Sequence, residues 1–190
     1  IVNGDGSNFY GIKTATNTKS EAIYDTLTMA LDSSKKGVID EKTLRKIVLS
    51  YGGDENVGAS ARLYLNKSDL IAFGDVRGSD KKPVYEITPD AGNPNTGIIK
   101  DGGLAVPYTI NSNLTALAGT AQSNTAVTNT MVYGDPMNYE LGLFGDYVIE
   151  VSKDYKFAEG LLTVMGEVLA GGNLIKHNGF LVCQIAKGTA

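Results

Sequence analysis

The sequence predicts an α+β fold, because helical and strand patterns occupy different parts of the chain. Apolar residues at helical spacing occur in the first half, within 19–32, 40–51 and 68–73. Residues 131–152 and 161–186 are instead rich in Val, Ile, Leu, Tyr and Phe in runs of strand length. The C-terminal third is therefore predicted to be mostly sheet.

The N-terminal segment is predicted to form a turn followed by a helix. Gly4 and Gly6 follow an apolar pair and predict the turn. Thr18 and Glu21 have the spacing of a capping box, which marks the start of many helices. The apolar residues that follow keep to one helical face: Ala22, Ile23, Leu27, Ala30 and Leu31. A first helix is therefore predicted over 19–32.

A second helix and a strand-to-helix step are predicted next. Asp40 can cap a helix that Gly52-Gly53 ends, with Leu44, Ile47, Val48 and Tyr51 on its apolar face. Residues 61–65 alternate between apolar and other side chains, which predicts a half-buried strand. Asn66 or Ser68 can then cap a short helix that carries Leu70, Ile71 and Phe73.

The middle of the chain is predicted to consist largely of hairpins and surface loops. Residues 75–103 are rich in Gly, Pro, Asp and Asn, with one strand-like run at 83–87. Residues 111–129 are rich in Ser, Thr, Asn and Ala and low in charge, with room for one short helix. Both segments are predicted to lie on the surface.

Two features of the strand-rich regions involve proline and glycine. Residues 104–110 are predicted to form a buried or edge strand, since Pro107 removes one donor from a ladder. Asn178-Gly179 has the composition of a type I′ hairpin turn before the last strand.

Composition excludes several classes of protein. The 190 residues suffice for one large domain or two small ones, and 17 basic against 21 acidic residues give a net charge of −4. The chain has no dense Lys/Arg cluster of the kind that predicts sequence-specific nucleic-acid binding. No apolar run reaches the roughly 20 residues that span a bilayer. The single cysteine, Cys183, is predicted to be a buried thiol. The start, without Met and close to a turn, predicts a processed or truncated product.

No residue pattern predicts an active site, a metal site or a bound cofactor. His177 is the only histidine and lies beside the predicted Asn178-Gly179 turn, where a solvated side chain is expected. Asp32 begins an imitation of a calcium loop, but Lys36 and Thr43 stand at ligand positions, so an ordinary helix-turn-helix link is predicted. Five carboxylates are predicted to be solvated or to form interface ion pairs: Asp135, Glu140, Asp146, Glu150 and Glu167.

Several short motifs, in their order and spacing, carry a family resemblance. They are NGDG at 3–6 with YGI at 10–12, LYLNKS at 63–68, GLAVP at 103–107, YGD at 133–135, VIEVS at 148–152, Phe157, and FLV at 180–182. Together they resemble the C-terminal half of major capsid proteins with the Hong Kong 97-like fold, which tailed phages and encapsulin nanocompartments share. The resemblance extends over nearly all of the chain.

The resemblance implies two domains. Residues 19–131 would form the axial A-domain, a sheet with flanking helices, while 1–18 and 132–190 would belong to the peripheral P-domain with its long strands. The N-terminal arm, extended loop and long spine helix of the family would precede this chain, which would then be an incomplete subunit. Loops 75–103 and 111–129 are expected to meet neighbouring subunits.

The resemblance also implies the function. The chain would be a coat subunit of a tailed phage or prophage that forms pentamers and hexamers of an icosahedral shell around DNA. It would be located in the virion capsid after assembly in the bacterial cytoplasm. Scaffold, protease, portal or cement proteins would be its partners, with no membrane and no enzymatic activity.

One chemical property of the family is not carried over. Some members join subunits through an isopeptide bond between a lysine and an asparagine, assisted by a glutamate. Glu167 resembles that glutamate, but Gly160 stands where the asparagine is expected. We therefore expect noncovalent contacts or cement proteins to hold the shell together.

Two other functions stay open from the sequence. An encapsulin shell would use the same fold to enclose cargo enzymes, and a neighbouring cargo gene would distinguish it from a phage. A carbohydrate-binding surface module would need an exposed aromatic platform, whereas the tyrosines are scattered through strand patterns and the chain contains no tryptophan.

Overall fold

The computed structural model describes residues 2–4, 10–15, 22–52, 60–152 and 159–188, which form a seven-stranded sheet and a two-stranded ribbon. The strands are β1 Asp25–Thr28, β2 Arg62–Leu65, β3 Glu86–Asp90, β4 Asn93–Asp101, β5 Leu104–Ile110, β6 Thr128–Gly134, β7 Tyr139–Ser152, β8 Thr163–Leu174 and β9 Phe180–Ile185. The helices are α1 Thr43–Leu49 and α2 Lys67–Asp75, with short 3-10 helices at Ile12–Thr14 and Pro136–Asn138. Strands thus predominate over helices in this α+β fold.

The seven-stranded sheet has the order β1-β9-β6-β2-β5-β4-β3. The β1/β9 and β2/β5 pairs are parallel, and the other neighbours are antiparallel. At its two edges lie β1, which has four residues, and β3, which contains Pro89. Both edges are poor templates for a further strand, because one is short and the other lacks a donor.

The centre of the sheet is buried on both faces. Met131 of β6 and Leu181 of β9 belong to a large core cluster that also contains Leu44 of α1 and Phe73 of α2. Val132, which follows Met131 in β6, belongs to a second cluster on the opposite face of the sheet. That cluster also contains Val182, Phe180, Leu174, Leu114 and Ile12. Because successive side chains alternate in direction, these two strands contribute to both clusters.

The prediction of a helix over 19–32 is wrong for the residues that the structure describes. Residues 25–28 form β1 and pair in parallel with β9, and the Met29 amide donates to the Gln184 carbonyl at 2.8 Å. Every second side chain, those of Leu27, Met29 and Leu31, packs in the first core cluster. This spacing of two residues is typical of a strand. Pairing with a strand some 155 positions away in sequence has overridden the local helical pattern; residues 19–21 lie outside the described part.

The link after Asp32 also differs from the prediction of a helix-turn-helix connection. A bridge between Leu31 and Gly37 closes a tight turn, in which Asp32 Oδ1 accepts the amides of Ser34 and Lys36 at 2.8 and 2.9 Å. This carboxylate is thus satisfied by its own backbone. Asp is common in tight turns because its side chain accepts nearby backbone amides. Its position in this turn explains why the sequence resembles a calcium loop.

The second helix and the strand-to-helix step are confirmed, but the N-cap position of α1 is Lys42, so the prediction that Asp40 caps this helix is wrong. Asp40 accepts the Lys42 amide at 2.9 Å and the Thr43 hydroxyl at 2.8 Å immediately before α1. Asn66 Oδ1 accepts the Ser68 amide at 3.0 Å and caps α2, while its Nδ2 donates to the Leu114 carbonyl at 2.7 Å. Asn66 therefore starts the helix and holds the 111–129 segment against it.

The 75–103 segment is more regular than predicted. It contains the β3–β4 hairpin, and the sequence does not predict β4, its second strand of nine residues, as a separate strand. The predicted strand over 104–110 is confirmed as an interior strand, and Tyr108 and Val106 are buried. The neighbouring strand β2 pairs only with residues 108–110, so its register leaves Pro107 outside that ladder.

The prediction of a type I′ hairpin at Asn178-Gly179 is wrong. β8 pairs with β7, whereas β9 pairs with β6 and β1, so the turn joins two different sheets. Asn178 has a φ of 52°, but Gly179 is not among the residues of positive φ, and a type I′ turn needs both. Gly179 instead packs against Asn138, where a Cβ would lie 2.8 Å from that side chain.

Candidate assembly interface

β7 and β8 form an antiparallel ribbon that stands apart from the seven-stranded sheet. With 12 to 14 residues in each strand, the ribbon is about 40 Å long. Its root is covered, since Leu174 is buried and Tyr139 packs against the second core cluster. Most of the rest is exposed, including Ile149 at 72% and Leu169 at 64% of their surface.

Outside the bulge at residues 145–147, one face of the ribbon carries no charged or amide side chain. Residues paired directly across two antiparallel strands lie on the same face, so the register assigns the side chains on either side of the bulge. The first face, here called the apolar face, consists of Tyr139, Leu141, Leu143, Ile149, Val151, Val164, Gly166, Val168, Ala170, Gly172 and Leu174. β7 has a bulge between Phe144 and Val148. After the bulge, Ile149 and Val151 lie on the apolar face again.

The opposite face, here called the acidic face, mixes apolar and carboxylate side chains. It consists of Glu140, Gly142, Phe144, Val148, Glu150, Ser152, Thr163, Met165, Glu167, Leu169, Gly171 and Asn173. Glu150 pairs with Met165 and Glu167 with Val148, so the two glutamates are diagonal neighbours. The ribbon thus has two faces of different chemistry.

The charge of the ribbon is of a single sign. β7 and β8 contain Glu140, Asp146, Glu150 and Glu167 and no Lys, Arg or His. None of these carboxylates forms an ion pair with a residue that the structure describes. An exposed apolar surface of this extent marks an interaction site.

A polar network fixes the root of the ribbon. The Tyr51 hydroxyl accepts the Asp135 amide at 3.1 Å and donates to the Gly179 carbonyl at 3.3 Å. Asn138 Nδ2 donates to the same carbonyl at 3.0 Å, and the Asn138 carbonyl accepts the Ile175 amide at 3.0 Å. The end of α1 is thereby tied to both strands of the ribbon where they leave the sheet domain.

Tyr51→Phe is expected to destabilise the chain by about 1–2 kcal/mol, because the amide of Asp135 loses its partner in a half-buried place. Equilibrium urea unfolding measures the change. Tyr24→Phe is the matched control, since the Tyr24 hydroxyl forms no hydrogen bond with a described residue and its loss should change stability by less than about 0.5 kcal/mol. Equal effects of the two substitutions would contradict the role of the network.

Asp69 holds the 111–129 segment to α2. Its side chain is fully buried, and its two oxygens accept the amides of Leu117 at 3.0 Å and Ala118 at 2.8 Å. Burial raises the pKa of this carboxyl, and the two amide donors oppose that shift. Leu114 and Leu117 are buried, so this segment lies against the core at those points.

The structure places the other sequence candidates at separate positions. Asp75, Arg77 and Asp80 are exposed at the end of α2 and in the following turn. Among the carboxylates predicted to be solvated, Asp135 is the exception, because it is buried and accepts the amides of Met137 and Ser60. That prediction is wrong for Asp135, which caps the 3-10 helix at the ribbon root.

The remaining candidates do not come together as a site. His177 is exposed in the link between β8 and β9. Cys183 is buried in β9, as predicted, and burial raises the pKa of its thiol to about 12. Gly160, with a φ of 66°, precedes β8, and Glu167 lies on the acidic face.

Within the described residues, no three His, Cys, Asp or Glu side chains are grouped to hold a metal ion. No helix of the described part is long and apolar enough to cross a membrane.

Sequence reasoning assigned the interface to loops and did not single out the ribbon. A signal was present, because residues 139–152 and 163–174 have apolar side chains at both odd and even positions without a basic residue. Such a run is ordinarily a strand buried on both faces. Here the structure leaves it with no covering element among the described residues.

Comparison with known proteins identifies the family. A sequence model of the phage capsid family matches residues 1–185. The chain belongs to the phage capsid family. Membership and fold agree with the predicted Hong Kong 97-like α+β architecture, and favour neither the encapsulin shell nor the carbohydrate-binding module. No curated protein has a significant sequence match to this capsid-family chain.

Solved capsid structures share the fold of this phage capsid family member. It superposes on the capsid of a native GTA particle with a TM-score of 0.65 at 16% identity, covering 97% of this chain and 59% of that chain. The capsid of an empty GTA particle gives 0.60 at 14% identity, covering 94% and 56%. A chain of Gordonia phage Cozz gives 0.54 at 15% identity, covering 99% and 57%. The capsid-family chain thus spans less than two thirds of the structures it matches.

Proposed function

We propose that this chain is the larger part of a major capsid protein, a coat subunit of a tailed phage or prophage. In this role the full-length protein forms pentamers and hexamers of an icosahedral shell that encloses DNA in the virion. The observation that carries the proposal is the exposed ribbon on a protein of the phage capsid family. An enzyme needs a site that converges on a substrate, whereas a shell subunit needs extended surfaces that neighbours cover.

The ribbon and the sheet domain suit different parts of such a subunit. We assign residues 19–131 to the axial domain and residues 1–18 and 132–190 to the peripheral domain. β9 of the second segment lies inside the seven-stranded sheet, between β1 and β6. The peripheral character therefore rests mainly on the ribbon, which leaves the sheet at Tyr139 and returns at Leu174.

Electron microscopy of the full-length protein after expression in bacteria tests the function. Closed shells or free capsomers are the expected result, and a stable monomer at high concentration would refute the proposal. For the 190 residues alone we expect no closed shells, because this chain spans only 56–59% of the capsid chains it matches. Gene neighbours add a second test: portal and terminase genes support a phage, and a cargo enzyme gene supports an encapsulin.

The exposed start of the 75–103 segment is the part that we place at the capsomer axis. Reversing the charge of Asp75, Arg77 or Asp80, one at a time, in the full-length protein is expected to reduce hexamer and pentamer formation several-fold, because the reversed side chain would repel the charges that it complements on the neighbouring subunit. Sedimentation and negative-stain microscopy count the capsomers. Asp75→Asn, which removes a charge without reversing it, is the control with little expected effect. Unchanged assembly of the reversed variant would move these residues away from the axis.

A further inference from the structure

The outward face of α1 combines an exposed leucine with basic side chains. α1 buries Thr43, Leu44 and Ile47. The opposite side exposes four residues at helical spacing, here called the basic face: Lys42, Arg45, Lys46 and Leu49. Leu49 is 79% exposed and lies among the three cations. An apolar centre with a polar rim is the usual composition of a contact between proteins.

A cleft between the start of α1 and the end of α2, here called the acidic cleft, has the opposite charge. Its volume is about 570 Å³, and its lining includes three apolar and three acidic side chains: Val38, Ala72, Val76, Asp32, Glu41 and Asp75. Neither Glu41 nor Asp75 forms an ion pair with a residue that the structure describes. Arg77 also lines the cleft, but its guanidinium donates to the carbonyls of Gly74 and Val76 at the end of α2.

The basic face retains charge for a partner outside the chain. Lys42 forms no ion pair with a described residue. Lys46 pairs with Asp40 at 3.5 Å, but both side chains are exposed, at 49% and 39%. Such a pair contributes less than about 1 kcal/mol, so Lys46 can exchange it for another carboxylate at little cost. Arg45 differs, because its partner Asp101, at 2.8 Å, is only 3% exposed. Lys42 and Lys46 therefore carry the charge that a partner would meet.

The basic face and the acidic cleft border each other. Asp40 lines the cleft, and its ion pair with Lys46 joins the cleft to the basic face. In a closed ring, each subunit meets its two neighbours through two different surfaces, which converge toward the axis. Complementary surfaces that adjoin are therefore suited to the axial end of a subunit. Asp75, which we place at the capsomer axis, lines the cleft.

We propose that the basic face of one copy binds in the acidic cleft of the next copy around the capsomer. In this contact Leu49 packs against Val38 of the neighbour. Lys42 and Lys46 lie opposite two carboxylates of the neighbour, those of Glu41 and Asp75. A contact that uses different surfaces on the two partners repeats from copy to copy, so it can close a ring. The inference rests on the proposed coat function, because it names the surfaces through which the coat subunits meet.

Charge reversal in the full-length protein tests the pairing. Lys42→Glu with Lys46→Glu makes the basic face acidic, and Glu41→Lys with Asp75→Lys makes the acidic cleft basic. Each pair of substitutions should reduce the yield of capsomers about tenfold, because like charges would meet at every contact. All four substitutions together restore opposite charges and should return the yield to within about twofold of the wild type. Sedimentation and negative-stain microscopy measure the yield. Two losses without recovery in the combined variant would overturn the pairing.

Lys67→Glu with Lys100→Glu is the matched control. Lys67 begins α2 as Lys42 precedes α1, and Lys100 pairs with Glu86 at 3.6 Å, much as Lys46 forms its exposed pair. The control thus makes the same change of charge and breaks the same kind of ion pair outside both surfaces. Its capsomer yield should equal that of the wild type. A loss as large as that of the reversed basic face would show that the yield follows net charge, against the proposed contact.

Disulfide formation tests the geometry of the contact. A full-length variant with Leu49→Cys and Val38→Cys should, under mild oxidation, give a ladder of covalent oligomers that ends at the pentamer or hexamer. Cys183 is buried, so it does not compete. Dimers as the sole product would indicate a two-fold contact, and the absence of any cross-link would separate the two surfaces. Either result would overturn the proposed arrangement.

The wild type distinguishes failure of this inference from failure of the proposed function. If the wild type forms shells or capsomers and both reversed variants assemble equally well, the contact is wrong and the coat function stands. If the wild type forms neither, the coat function fails whatever the variants do. Loss in both reversed variants with correct folding by circular dichroism, and recovery in the combined variant, supports the inference.

Discussion

Leu143→Glu combined with Ile149→Glu is expected to abolish assembly of the full-length protein while leaving its subunit folded. Both side chains lie on the apolar face, and Leu143 is 55% and Ile149 72% exposed in the isolated chain. The substitutions therefore cost little in the fold. In an assembled particle the same positions would be covered, and burying an unpaired carboxylate costs several kcal/mol. Two such penalties reduce an association constant by many orders of magnitude.

Electron microscopy and sedimentation of the full-length variant measure the loss of particles, and urea unfolding of the 190-residue chain measures stability. Ile71→Glu is the matched control, because Ile71 is 60% exposed on α2, away from the ribbon. We expect it to leave assembly intact. Particles of normal yield from the double variant would show that the apolar face stays open in the shell.

Asp69→Ala is expected to destabilise the 190-residue chain by about 3 kcal/mol, since two amides at a buried place lose their only described acceptor. The hydrogen bond of the Leu117 amide is buried and that of the Ala118 amide is partly buried, so water can replace the lost acceptor only in part. Urea unfolding followed by circular dichroism gives the change in free energy. Asp69→Asn, which keeps one acceptor oxygen, should cost clearly less, and a cost equal to that of Ala would contradict the anchoring role.

The same carboxyl makes the stability of the chain dependent on pH. Because burial raises the pKa of Asp69 in the folded state, a proton binds more strongly to the folded than to the unfolded chain. The stability that this proton binding gives the folded chain is fully present below the unfolded pKa of about 3.9, and it is lost as pH rises through the folded pKa. The stability of the wild type relative to Asp69→Asn should therefore increase as pH falls from 7 toward 4. A difference that does not change with pH would show that Asp69 titrates normally.

Sequence reasoning succeeded where local signals and tertiary structure agree. Asn66 caps α2 as its position predicts, and β2 alternates between buried and half-buried residues. It failed at 19–32 because the acceptor for that segment is β9, which lies more than 150 positions away and leaves no local pattern. It failed at Asn178 because turn composition reports the conformation of a residue, and the pairing of the flanking strands is decided elsewhere.

The candidate interface could be predicted in part. The strands β7 and β8 follow from composition, but their exposure does not, because a strand buried on both faces and one awaiting a partner have the same sequence pattern. Asp69 is similarly ambiguous: an acidic residue in the first turn of a helix ordinarily interacts with the helix dipole at the surface. Only the fold shows that it reaches a segment almost 50 residues further along.

The edges of the seven-stranded sheet limit how copies of this protein can grow into an assembly. A sheet that lengthens strand by strand from one molecule to the next produces a fibre, which has no natural end. The four-residue β1 and the Pro89-containing β3 prevent that route at both ends of the sheet. Contacts are then left to the ribbon and to surface loops, where the angle between molecules can close a ring. A protein built in this way can form particles of finite size and avoid filaments.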